Sequence, residues 1–309
     1  MNEKNLNIIV DQKIHRSKKI LFRTLNCCET QIINGLEVNE LEDNELLRAA
    51  TGLAGGIYNH GSTCGVILGV SLSYALQMEK KNKDIFLENE AILIYNIRKY
   101  IDFFNKTFNS TLCRERTELD FKTIKGKLGL LIPEKVKGCV KQTALSIKYY
   151  IENPIENNNE NSKDCKFKYY CAKSVLSKVR EETGIGSEHL EKLSVVFNGG
   201  IALTGNTCGA LIGGMMALGL KYKLEDYNIK KAESFRNMFK AYPKPFRDAA
   251  NKLVTSFENE FEGLECSAII NHDFKNICDF NDFYENNEKC KQIVNYVVKK
   301  TVSLLKIDS

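Results

Sequence analysis

Gly55-Gly56-Ile57-Tyr58-Asn59-His60-Gly61-Ser62-Thr63-Cys64-Gly65 returns 144 residues later as Gly199-Gly200-Ile201-Ala202-Leu203-Thr204-Gly205-Asn206-Thr207-Cys208-Gly209, with seven of eleven positions identical. Working outward, the same offset carries Cys27 onto Cys171 without a gap. Downstream the register slips by nine residues and recovers: Phe104, Phe108 and Cys113 answer to Phe257, Phe261 and Cys266. Asp120-Phe121 then answers to Asp273-Phe274, and Cys139 to Cys290. Four cysteines, a glycine pattern and two aromatic patterns in one order mean that the chain is a tandem duplication. A repeat this long makes domain-sized units, not a solenoid. The expected organisation is a first repeat over 1–150, a linker over 151–168 and a second repeat over 169–309. The linker is asparagine-rich and too poor in apolar groups to repay its ordering entropy.

The periodicity is helical. Ala172, Val175, Leu176 and Val179 share one face of a helix over Cys171–Glu182. Ser187 is placed to cap the next helix. Cys208–Leu220 and its counterpart Cys64–Met78 are apolar nearly all round, as buried central helices are. Further helices are expected over Asp226–Ala241, Pro245–Glu260 and Lys289–Leu305, and no alternating run suggests a strand. The predicted fold is all-α: two helical units, each with a Gly-rich loop entering a buried central helix, packed as a pseudo-dimer within one chain.

Composition narrows the function. The formal net charge is only +5 over 309 residues, which does not argue for nucleic acid. No apolar run is long enough to span a bilayer, and Met1–Lys19 lacks the apolar core of a secretory signal, so membrane insertion is not expected and a cytoplasmic location is. Eleven cysteines in such a chain are then not expected to form a disulfide scaffold. Buried apolar residues, metal ligands and working thiols remain. Cys28, Cys165 and Cys278 have no match between the halves and read as ordinary cysteines.

The shared set is Cys27, Cys64, Cys113 and Cys139, repeated as Cys171, Cys208, Cys266 and Cys290. Four thiolates are the ligand set of a tetrahedral zinc or an iron–sulfur cluster. Neither half contains a CxxC, so the four could meet only through tertiary folding. Cys64 and Cys208 stand where a glycine loop enters a helix. Backbone N–H groups and the helix dipole there would lower a thiol's pKa and stabilise a negative ligand. On this reading the cofactor-facing residues are Gly55, Gly56, Gly61, Thr63 and Gly65, with Gly199, Gly200, Gly205, Thr207 and Gly209. Thr63 and Thr207 would cap the central helices. The competing reading is that these glycines, with Gly69 and Gly213, only permit close helix packing. His60 is not duplicated, and His15, His189 and His272 read as surface. There is no P-loop and no dinucleotide fingerprint.

Cys208-Gly209-Ala210-Leu211-Ile212-Gly213 and Cys64-Gly65-Val66-Ile67-Leu68-Gly69, with one cysteine before and two after in each half, resemble the C-GCAxxG-C-C family of redox-active proteins. Cys113-Arg114-Glu115 is similar to that family's third-cysteine segment. The resemblance implies two fused family units, each with an iron–sulfur cluster or other metal on its four cysteines, handling electrons for a redox partner protein. Two alternatives stay open: a thiol–disulfide enzyme using Cys64 or Cys208 as a low-pKa thiol, or a zinc-stapled structural protein.

Overall fold

The computed structural model describes residues 3–81, 89–129, 132–155, 165–222 and 242–306. Among these no strand forms; the only extended pairing is two isolated bridges. The first half runs α1 (Glu3–Thr24), α2 (Cys27–Val38), α3 (Asn44–Ala49), a 3-10 turn (Ala50–Leu53), α4 (Gly65–Lys81), α5 (Glu90–Phe108), α6 (Cys113–Thr117), α7 (Ile124–Gly129) and α8 (Pro133–Glu152). The second half repeats this from α2 onward: α9 (Ala172–Thr183), α10 (Glu188–Leu193), a 3-10 turn (Ser194–Phe197), α11 (Gly209–Tyr222), α12 (Lys244–Phe261), α13 (Cys266–Ile270), α14 (Ile277–Asn286) and α15 (Glu288–Lys306). The chain is an all-helical tandem duplication. The expected helices match α9, α10, α11, α4, α12 and α15 to within a few residues. The expected helix Asp226–Ala241 and residues 156–164 of the expected linker lie outside the described residues.

Local chemistry explains the boundaries. Ser187 caps α10 by accepting the Leu190 N–H at 3.3 Å, and Pro245 stands in the first turn of α12, where its missing N–H costs nothing. The central helices α4 and α11 are buried over Gly65–Met78 and Gly209–Leu220. Each lies against its neighbour at backbone distance. A Cβ on Gly69 would sit 2.5 Å from the Cys28 carbonyl oxygen, and one on Gly213 2.8 Å from that of Ala172. The close-packing role of these two glycines is therefore present.

The halves meet along their matching parts. Thr207 N–H donates to Thr63 Oγ1 at 3.0 Å, and Thr63 N–H to Thr207 Oγ1 at 3.1 Å. The two threonines thus serve each other instead of capping the central helices, the role expected of them from the sequence. Arg114 pairs with Glu265 at 2.8 Å, and Ser62 Oγ donates to the same carboxylate oxygen at 2.8 Å. His189 lies at the surface, partly exposed, but it is not without partners. It sits between Asp43 (2.7 Å) and Glu79 (3.3 Å) of the first half. Hydrogen bonds to Asp43 and Glu79 push its pKa up to about 10.

A second departure is the bond between Cys165 and Cys278, whose Cα atoms are 5.5 Å apart. It ties the segment before α9 to α14. Both cysteines had read as ordinary because neither is duplicated; their pairing depends on a proximity that spacing along the chain does not encode.

Candidate redox site

The glycine loop is a left-handed turn. Gly55, Gly56, Ile57, Tyr58 and Asn59 all have positive φ (65, 72, 61, 46 and 56°), and so do Gly199 to Leu203 (58, 72, 65, 50 and 61°). Side chains in this conformation cost about 1–2 kcal/mol each, and three per half bear it. Long-reach backbone bonds hold the turn: Tyr58 N–H to Gly52 O at 2.8 Å and Ser62 N–H to Gly56 O at 3.0 Å. Ala202 to Val196 at 2.7 Å and Asn206 to Gly200 at 2.9 Å match them. His60 joins this turn through Nδ1, 2.9 Å from the Tyr58 carbonyl.

The turn brings the cysteines together. After it, the bridge between Thr63 and Leu112 laces the second cysteine to the third. Cys64 N–H donates to Thr111 O at 2.8 Å, and Cys113 N–H to Ser62 O at 2.7 Å. Cys208 to Leu264 (2.8 Å) and Cys266 to Asn206 (2.7 Å) repeat it. The first cysteine approaches from α2 or α9. A Cβ on Gly65 would lie 2.7 Å from Cys27 Sγ, and one on Gly209 2.9 Å from Cys171 Cβ. The first glycine of each turn aims its backbone N–H at that sulfur, Gly55 at Cys27 and Gly199 at Cys171. Gly56 and Gly200 pack against the returning chain, and Gly61 and Gly205 let α6 and α13 approach. The fourth cysteine comes from α8 or α15.

In the second half, Cys171, Cys208, Cys266 and Cys290 line one small cavity of about 20 Å³ together with apolar side chains including Ile269, Phe274 and Ile293. In the first half, Cys27, Cys64 and Cys139 all lie within electrostatic reach of Cys113. All eight are free thiols. Burial raises every one of them, above all Cys64, Cys113, Cys171 and Cys266. Cys139 and Cys290 are pushed up to about 12. The expected low-pKa thiol at the loop is thus not found. The Val66 N–H at Cys64, and the Leu211 and Ala210 N–H groups at Cys208, pull downward but are outweighed by loss of water. The Val66-for-Ala change leaves this N–H in place, since the backbone supplies it.

Four sulfurs with N–H donors at them are the donor chemistry of a soft metal or an iron–sulfur group. Among the described residues, however, no three Cys, His, Asp or Glu side chains gather around one point as metal ligands. The sulfurs share an enclosure without being closed on a centre.

Two polar residues at the first site escaped the sequence reading. Arg116 stacks over Phe108, 5.0 Å from its ring centre, and acts on Cys64, Cys113 and Cys139 by its charge. Gln142 lies 3.5 Å from Cys64 Sγ. Aligning the halves on their third and fourth cysteines would have exposed both, because Ile269 and Ile293 hold those places in the second half.

No curated protein and no solved structure matches this chain. The model of one family, described as "Putative redox-active protein (C_GCAxxG_C_C)", matches residues 25–152 and again 169–304. Its pattern writes GCAxxG where this chain has Cys-Gly-Ala-x-x-Gly and Cys-Gly-Val-x-x-Gly, so the match rests on more than those letters. With both halves matched and each built on the same ordered cysteines, the chain belongs to the C_GCAxxG_C_C family, in two tandem copies.

Proposed function

We propose that each four-cysteine cluster is a redox centre and that the protein carries electrons, or senses redox state, for a partner protein. The observation that carries this reading is the enclosure lined by Cys171, Cys208, Cys266 and Cys290, four thiols far apart in sequence and walled by apolar side chains. Cys27, Cys64, Cys113 and Cys139 would hold a metal or iron–sulfur group in one half, and Cys171, Cys208, Cys266 and Cys290 in the other. Such a group, when bound, exchanges single electrons. The chain's own part is to exclude water with Phe274 and Ile293, and to point the Gly55 and Gly199 N–H groups at sulfur, where they favour added negative charge. Each repeat, 1–150 and 169–309, would then be a unit folded about its own centre. Eight free thiols suit a reducing compartment such as the cytoplasm, while the Cys165–Cys278 bond suits an oxidising one.

A second reading, reversible disulfide formation within each cluster, is favoured by the free thiols and by the lack of any three-ligand cluster among the described residues. Strictly anaerobic purification tests both. Broad visible absorption with stoichiometric iron supports the metal reading. Colourless, metal-free protein that loses two thiols per half on mild oxidation supports the second. Stoichiometric zinc with no redox change would refute both in favour of a structural staple.

A further inference from the structure

The duplicated cysteines stand in unlike surroundings. In α13 and α15, Ile269 and Ile293 wall the second cavity. Three residues after the matching cysteines of the first half stand Arg116 and Gln142. Arg116 donates to the Phe108 carbonyl, which fixes its guanidinium. Its Nη2 and Nε donate to the Gln142 side-chain oxygen at 2.7 and 3.2 Å. That orientation, assigned from the hydrogen-bond network, turns the amide nitrogen of Gln142 toward Cys64 Sγ at the 3.5 Å contact. The first site therefore has a side-chain N–H donor at its central sulfur and a fixed cation behind it, while the second has a methyl-lined wall. Openness differs in the same sense. Cys27 and Cys139 are partly exposed, whereas all four cysteines of the second set are buried.

We propose that the two centres are unequal: Arg116 and Gln142 are positioning residues that make the first centre the one reduced first. This rests on reading each cluster as a redox centre. Reduction adds negative charge to the sulfurs. A side-chain hydrogen-bond donor and a cation at the central sulfur stabilise that state and raise its potential. In the second half Ile269 and Ile293 stand in their places, and the positive groups there are the backbone N–H groups at Cys171 and Cys208, and Lys289 beside Cys290 rather than at the central sulfur. This bias holds for a metal-bound centre, whose reduction leaves added charge on the sulfurs; a disulfide reduced to two neutral thiols gains none, and there the pair gives no bias. With dithionite as reductant, a metal-bound centre accepts one electron and no bond breaks. A disulfide accepts two electrons and two protons, and its S–S bond yields two thiols.

The test is an anaerobic potentiometric titration of the full chain with dithionite. At each poise the visible spectrum is recorded, and an aliquot is alkylated so that the cysteine peptides of each half can be counted. The wild type should show two waves, the upper one from the first half. In Arg116→Ile/Gln142→Ile, which installs the residues the second half already accommodates, the upper wave should fall by about tenfold in the reduction equilibrium. That is about 59 mV for one electron, with the lower wave unmoved. Gln142→Leu alone keeps the cation and should lower the same wave by less. Coincident waves in the wild type, or an upper wave indifferent to both variants, would overturn the inequality alone. A chain that takes up no electrons in either half would overturn the redox reading and this inference with it.

Discussion

Gly184 and Gly200 share a φ of 72° and differ in everything around them, so alanine at each separates backbone strain from packing. A Cβ at Gly184, just past the end of α9, would meet nothing within 4 Å. Its cost is the left-handed conformation alone, about 1–2 kcal/mol, reduced by about 0.4–1 kcal/mol because alanine also restricts the unfolded chain. A Cβ at Gly200 would lie 2.5 Å from Asn206 O, 2.6 Å from Cys266 Cβ and 2.8 Å from Asn206 N. None of these can yield cheaply. Asn206 N–H is bonded to Gly200 O at 2.9 Å, and Asn206 O accepts from Cys266 N–H at 2.7 Å. Overpacking of this kind adds about 1–3 kcal/mol. Urea unfolding with unchanged m should therefore find Gly184→Ala down by about 1 kcal/mol and Gly200→Ala by about 2–4 kcal/mol. Faster alkylation of Cys266 is expected in Gly200→Ala only. Equal destabilisation of the two, or an unaltered Cys266, would refute the claim that the second glycine of the turn sets the seat of the third cysteine.

Other expectations follow from the contacts between and within the halves. Thr207→Val removes the acceptor of the buried Thr63 N–H and should cost about 1–3 kcal/mol in urea unfolding; Thr63→Val should cost the same, because its partner bond is the mirror of the first. His189, raised to about 10 by Asp43 and Glu79, should stabilise the fold fully below about pH 6.5 and lose that contribution as pH rises through about 10. The pH profile of stability in wild type against His189→Gln should converge at the alkaline end, and parallel profiles would exclude the ion pair. Non-reducing peptide mapping should recover Cys165 joined to Cys278. With 113 residues of separation, Cys278→Ser should lower stability by up to about 4–5 kcal/mol in the chain-entropy account.

The duplication, the helices and the cysteine set were all legible in the chain itself. Repetition is a property of order, and the burial of α4 and α11 is announced by apolar residues on every face. Side chains recurring every three to four positions specify a helix before any neighbour is present. Other features belong to the tertiary structure alone. Nothing local tells Ile57, Tyr58 and Asn59 to take positive φ, since that conformation is penalised residue by residue and persists only through bonds such as Tyr58 to Gly52. Whether a helix-start thiol is acidic is settled by how much water remains beside it, and burial reverses what the loop position at Cys64 and Cys208 implied. His189 is at the surface as read, but only the fold shows that the first half supplies it with two carboxylates. Cys165 and Cys278 looked idle until folding brought them together. Local sequence determines which elements form, because propensity and periodicity act over a few residues. Charge state, partner and strain are decided by groups more than a hundred residues away, which only the folded chain brings within reach.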